Sequence, residues 1–180
     1  SDLPLITSLK SEGKTVISEI EFAAKHTSAT LIGITGTNGK TTTTLLTYQI
    51  LKDAGFNVGI AGNIGKSFAL QVAQLHYDYY VLEISSFQLD DTINFAPHIS
   101  VITNISPDHL DRYNYQFDNY IKAKLNIVKN QTKKDFFLFN SEDTILRSFL
   151  KKHKIKAKKI SLAANNPKQG VAAIKDHIII

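Results

Sequence analysis

Short β-branched and aromatic runs alternate with helix-patterned stretches along most of this chain, and few folds accept that order. Thr30-Leu31-Ile32-Gly33-Ile34 reads as a strand that stops at Gly36, and a helix is expected from Lys40 to about Ala54, broken by Gly55. Val58 to Ala61 reads as a second strand and Lys66 to Leu75 as a second helix. Tyr79 to Ile84 and His98 to Thr103 are strands of the fully buried kind. A helix over Phe117 to Lys129 follows, with Phe117, Ile121, Leu125 and Val128 on one face. Asp135 to Phe139 is then a strand and Glu142 to Leu150 a helix. Such βαβ units predict an α/β fold whose mostly parallel sheet carries helices on both faces. After Lys158 the pattern changes to short strands, expected to be antiparallel near the C-terminus, with Lys175-Asp176-His177 as a hairpin turn before Ile178-Ile179-Ile180.

Composition narrows the function classes. The 180 residues suffice for one domain with a core, and 43% hydrophobic against 21% charged residues excludes wholesale disorder. The absence of cysteine removes disulfides, thiol nucleophiles and thiolate metal sites together. The net charge of +5 suits anionic ligands without requiring nucleic acid. Six lysines fall in residues 151–159, but no aromatic side chain is interleaved for base stacking, so the run reads as a solvated surface. No apolar run has membrane-spanning length, and the first ten residues lack the basic start and apolar core of a secretory signal. A cytoplasmic protein with no membrane or nucleic-acid partner is expected. The chain has no methionine, so it is read as processed, trimmed or part of something longer. Residues 1–29 are polar except for a capping-box signal at Ser18-x-x-Glu21 ahead of Phe22-Ala23-Ala24.

The sharpest motif is Gly36-Thr37-Asn38-Gly39-Lys40-Thr41-Thr42, between the first strand and the first long helix. A turn there aims backbone N–H groups and the helix dipole at a phosphate, Lys40 reaches for the outer phosphates, and the Thr41 hydroxyl can hold Mg²⁺. The general phosphate-loop pattern wants its first glycine at position 34, where Ile34 stands, and Gly36 is the glycine present. The fold class is therefore read as α/β of the P-loop type. Ligands of an open parallel sheet bind beyond the carboxyl ends of its strands. Glu83 falls near such an end, as a Mg²⁺ carboxylate or as a buried acid satisfied by loop amides. Ser106-Pro107-Asp108-His109-Leu110-Asp111 should open onto the same crevice, with His109 a metal ligand or a hydrogen-bonding fixture. Ser85 and Ser86 lack the G-x-S-x-G setting of a hydrolase nucleophile.

Thr35-Gly36-Thr37-Asn38-Gly39-Lys40-Thr41-Thr42 is similar to the ATP loop of the Mur ligase family and the folylpolyglutamate synthetases, which also lack that first glycine. Leu82-Glu83-Ile84-Ser85-Ser86-Phe87-Gln88-Leu89 resembles the D-glutamate-adding branch of that family. Gly62-Asn63-Ile64-Gly65, the stretch Asn104 to Tyr113 and Tyr120-Ile121-Lys122-Ala123-Lys124 fit the same branch from about residue 12 to 150. The resemblance implies that Gly36, Thr37, Asn38, Gly39, Lys40, Thr41 and Thr42 bind ATP. It implies Thr41 and Glu83 at one Mg²⁺, His109 and Lys124 at a second, and Lys124 carbamylated by CO₂. Asn63, Ser85 and Gln88 would face the UDP-sugar substrate or the phosphates. By spacing alone Lys124 is a lysine on the margin of an apolar helix face, with its stem snorkelling past Tyr120 and Val128.

The implied reaction joins D-glutamate to UDP-N-acetylmuramoyl-L-alanine in peptidoglycan synthesis, by way of an acyl phosphate made from ATP, with the intact protein a monomer. It also implies that residues 1–28 are the tail of an N-terminal substrate domain and that 29–180 are a truncated central ATP-binding domain, the C-terminal domain being absent. A stand-alone P-loop ATPase or kinase would share Lys40, Thr41 and Glu83 without needing Ser85, Gln88 or Lys124. A non-catalytic nucleotide-binding module, or another member of the family, is a further reading of the same loop.

Overall fold

The structure is a computed structural model that describes residues 4–163, 171–174 and 177–179. Helices α1 (Pro4–Ser11) and α2 (Glu19–Ala24) precede strand β1 (Thr30–Thr35), helix α3 (Lys40–Asp53), β2 (Val58–Gly62), α4 (Phe68–Gln74) and β3 (Tyr79–Glu83). Then come α5 (Ser86–Asp90), β4 (Ile99–Ile102), a 3-10 turn (Leu110–Tyr113), α6 (Phe117–Lys129), β5 (Phe136–Asn140), α7 (Thr144–Lys152), β6 (Lys158–Ala163), β7 (Val171–Ile174) and β8 (His177–Ile179). The sheet order is β2-β3-β1-β4-β5-β6-β7-β8. From β2 through β6 every pairing is parallel, giving the expected α/β sheet with helices on both faces.

Alternation along the strands sorts side chains to two cores. Ile32 and Ile34 of β1 and Val81 of β3 pack with Val58 under Tyr48 and Leu51 of α3. Leu31, Tyr80 and Leu82 point the other way, into a larger core closed by Ile20 of α2, Phe68 of α4, Leu125 and Val128 of α6, and Leu146 of α7. Ile34 is wholly buried, which explains why the loop begins its glycine turn at Gly36. The outer side of α3 leaves Leu45, Leu46 and Ile50 exposed. Its C-terminus closes with Gly55 N–H on the Lys52 carbonyl and Phe56 N–H on the Leu51 carbonyl, both at 3.0 Å, the paired bonds of a glycine-terminated helix.

Several boundaries move for local reasons. α4 begins at Phe68 because Ser67 is its cap, accepting from Leu70 N, while Glu19 Oε1 accepts from Ser67 Oγ at 2.7 Å. α7 begins at Thr144 because Asp143 caps it. α1 was not expected: it is only 8 residues long and none of its residues is buried, so no core packing marks it. The capping box at Ser18 forms by half: Ser18 Oγ accepts from Glu21 N, but the Glu21 carboxylate turns away to the amides of Ile93, Asn94 and Phe95.

The stretch after Lys158 corrects the expectation of short antiparallel strands beginning there. β6 instead extends the parallel sheet against β5, with Phe136 opposite Lys158 and Leu138 opposite Ile160. β7 lies parallel to β6 and β8 antiparallel to β7. Lys175, Asp176 and Ile180 of the anticipated turn and apolar end lie outside the described residues. The lysines of 151–159 are exposed while Ala157 is buried and Ile155 partly so, as a solvated face requires.

Candidate active site

β1 ends beside β3 and β4, with Ile34 opposite Glu83 and Thr35 opposite Ile102, so the loop of residues 36–39 emerges between two neighbouring strand ends. Gly39 is the left-handed cap from which α3 starts at Lys40. Its opening amides follow directly on a strand, the arrangement that receives phosphate. A Cβ at Gly36 would overlap the Thr103 side chain, so glycine is required by the close approach of β4.

The loop is braced by the segment after β4. Thr37 N donates to the Asn104 carbonyl at 2.9 Å and Asn38 N to Asn104 Oδ1 at 3.0 Å. Thr103 Oγ1 and Asn104 Nδ2 donate to the Asn38 carbonyl at 2.7 and 3.0 Å. The Thr37 hydroxyl accepts from Ser106 N at 3.0 Å, donates to Ser106 O at 3.1 Å, and lies 3.1 Å from Tyr120 Oη. Thr37 is therefore a pin for the loop through its side chain, a role the motif did not disclose. Thr103, Asn104 and Tyr120 were given no role from sequence. The available signal was polar side chains at a strand end facing a glycine loop.

Two lysines converge on one carbonyl. Half-buried Lys40 donates to Gly36 O at 3.0 Å and Thr37 O at 2.8 Å. Lys124, from α6, donates to Gly36 O at 2.7 Å, with its Nζ 4.6 Å from the centre of the Tyr120 ring. Lys124 is only 2% exposed, so it is an interior side chain aimed at the phosphate loop and not a surface snorkel. Burial, and then the charge of Lys40, push its ammonium down to about 7, against a smaller opposing pull from Asp108.

Glu83 occupies the last position of β3 and is 2% exposed. Oε1 accepts from Asn63 Nδ2 at 2.7 Å, and the Glu83 carbonyl accepts from Asn63 N at 2.8 Å. Oε2 has no hydrogen-bond partner among the described residues. A buried carboxylate oxygen without a partner leaves a position that a cation can fill, and oxygen donors of this kind fit Mg²⁺. Asn63 is thus seated beside the Glu83 carboxylate in the turn after β2.

Ser85 and Gln88 form a reciprocal capping box on α5: Ser85 Oγ accepts from Gln88 N at 3.3 Å and Gln88 Oε1 from Ser85 N at 3.0 Å. His109 is the least assembled of the expected residues. Its ring is exposed, 3.5 Å from Asp108 Oδ2, and edge-on to Phe87 at 5.4 Å between centroids. Among the described residues no three His, Asp or Glu side chains gather as a ready metal cage. Thr41 and Thr42 open α3 on its exposed side.

Strand, glycine turn, lysine and helix N-terminus on an open parallel sheet define a P-loop-type α/β domain. The chain belongs to the Mur ligase family: the model of the Mur ligase middle domain matches residues 34–177. It is 54% identical over 177 residues to a UDP-N-acetylmuramoylalanine–D-glutamate ligase of Bacteroides thetaiotaomicron, covering 98% of this chain and 40% of that protein. The enzyme of the same name from Bacteroides fragilis is 52% identical over 180 residues, again with 40% of its length covered. The chain therefore spans about 40% of the length of these relatives. Among solved structures, a UDP-N-acetylmuramate:L-alanyl-gamma-D-glutamyl-meso-diaminopimelate ligase from Neisseria meningitidis superposes with a TM-score of 0.68 at 16% identity, over 99% of this chain and 61% of that one. MurF ligase from Thermotoga maritima, in complex with ADP, gives 0.64 at 18% identity over 84% of this chain and 36% of its own. At those identities the likeness is one of fold.

Proposed function

We propose that this chain supplies the ATP-binding part of a ligase that joins D-glutamate to UDP-N-acetylmuramoyl-L-alanine in peptidoglycan synthesis. The observation that carries the reading is Lys124: a buried lysine on the phosphate-loop carbonyl, in a chain 54% identical to a ligase of that name. In this reading residues 1–28 are the tail of a substrate domain and 29–180 belong to the central domain. The reaction runs in the cytoplasm; no helix among the described residues is long and apolar enough to cross a membrane.

The loop amides at the start of α3 and Lys40 hold the ATP phosphates. The γ-phosphoryl group passes to the substrate carboxylate, giving an acyl phosphate and ADP. The D-glutamate amine attacks the acyl carbon, and phosphate leaves as the amide forms. Positioning and charge neutralisation account for most of such catalysis. Mg²⁺ would be held by Thr41 and Glu83, and a second by His109 and Lys124, supplying positive charge to the phosphates. Burial and the Lys40 charge favour the neutral amine of Lys124, whose nitrogen lone pair can add to CO₂ with loss of a proton, giving a carbamate anion. In this reading Asn63, Ser85 and Gln88 face the UDP-sugar or the phosphates.

The test is product analysis on the protein expressed at the length of its relatives. ADP, phosphate and the D-glutamyl amide should appear together, and only with ATP, the UDP-sugar and D-glutamate all present. ATP hydrolysis indifferent to both co-substrates would make it a stand-alone ATPase. Preference for another amino acid would move it to another branch of the family.

A further inference from the structure

Asp143 lies just past the carboxyl end of β5, outside the loop that carries Lys40, and its two carboxylate oxygens have separate partners. Oδ1 accepts from Ile145 N and Leu146 N, both at 2.9 Å, and so caps α7. Oδ2 accepts from Ile105 N at 2.8 Å, across 38 positions of sequence. Ile105 is 3% exposed and stands between the two residues that grip the phosphate loop. Asn104 on one side takes the amides of Thr37 and Asn38, and Ser106 on the other exchanges two hydrogen bonds with the Thr37 hydroxyl.

We propose that Asp143 is a positioning residue for ATP: through Ile105 it fixes the Asn104–Ser106 segment, and that segment fixes the phosphate loop in its binding shape. The proposal rests on Gly36–Thr42 being the nucleotide site. Ile105 without its acceptor would leave a buried amide unpaired, which favours rearrangement of the segment. Each rearranged state must be frozen out again when phosphate binds, so the loss appears as weaker ATP binding. The dual role requires a carboxylate of this length. Serine offers one oxygen on a shorter stem, so it keeps the helix cap but does not reach Ile105.

The variants are Asp143→Ser and Asp143→Ala, made in the protein at the length of its relatives. Three quantities are read: KM for ATP against kcat, melting temperature, and hydrogen exchange of a peptide covering Asn104 to Ser106. Asp143→Ser should melt modestly below wild type but above Asp143→Ala, exchange faster in that peptide, and raise KM for ATP roughly tenfold with a smaller change in kcat. Asp143→Ala should show the same KM defect together with a lower melting temperature. Wild-type KM for ATP in both variants, with only the melting temperature reduced, would reduce Asp143 to a helix cap and overturn the proposal. Failure of the wild-type protein to bind ATP at all would instead remove the nucleotide-site reading, and this proposal with it.

Discussion

Lys124 and Glu21 are both buried ionisable side chains, resolved in opposite ways. Lys124 is disfavoured as a cation by burial first and by the neighbouring Lys40 charge second, and its bond to Gly36 O and the Tyr120 ring face do not offset them. If it acts as the carbamate of the proposed function, Lys124→Ala in the protein expressed at the length of its relatives is expected to lose about a hundredfold or more in kcat. A short carboxylic acid that restores an anion should return part of that rate, and full activity in the variant would remove the role. Glu21 is charged and satisfied. Burial alone would raise its carboxyl, but the Lys25 ammonium at 3.0 Å and the amides of Ile93, Asn94 and Phe95 outweigh it and hold the group below the usual 4.5. The folded protein thus binds that proton more weakly than the unfolded chain. Its contribution is full above 4.5 and is lost as the pH falls through the lowered value. Glu21→Gln should cost about 2–3 kcal/mol at neutral pH by chemical denaturation, with the gap to wild type closing in acid. A gap of constant size down to strongly acidic pH would contradict this assignment.

Among the elements, the turn from β2 into residues 63–65 bears most directly on the site. Gly62 has φ +95°, and a Cβ there would collide with the Glu83 carbonyl. Gly62→Ala should therefore destabilise by more than about 2 kcal/mol. Ser85→Ala, whose effect on stability is the loss of the α5 cap, should cost about 1 kcal/mol. Urea denaturation of both orders them, and equal small losses would mean that the β2 turn relaxes freely. The elements themselves were largely legible. α6 was read to the residue because Ile121, Leu125 and Val128 lie on one buried stripe, and the strands from β1 to β5 moved by about one residue at an end. α1 was missed because an exposed helix of 8 residues leaves no core-facing stripe. β6 was read as a short strand but not as a parallel extension of the sheet, since pairing direction is not written in a strand's own sequence. At the site, the loop, Lys40 and Glu83 could be read from type and position. The braces from Thr103, Asn104, Tyr120 and Asp143 could not, since they join residues distant in sequence by hydrogen bonds that no local pattern encodes.

At the scale of the whole molecule, parallel pairing brings the ends of β1, β3 and β4 side by side, and that alone gathers the loop, Glu83 and the Asn104–Ser106 segment. α6 then packs across them and delivers Lys124 to the loop from a distance of 88 positions. In the proposed function this crevice holds the phosphates of ATP. The most direct measurement is Mg-ATP affinity of wild type against Lys40→Ala, by titration calorimetry, beside the melting temperature of each. Lys40 opens α3 and donates to the Gly36 and Thr37 carbonyls, while Thr37, Thr103 and Asn104 brace the loop independently. Its removal therefore deletes charge and two loop bonds but little packing. The expected result is a loss of roughly tenfold or more in affinity with a nearly unchanged melting temperature. Equal affinity in the two proteins would contradict the assignment of the phosphate loop.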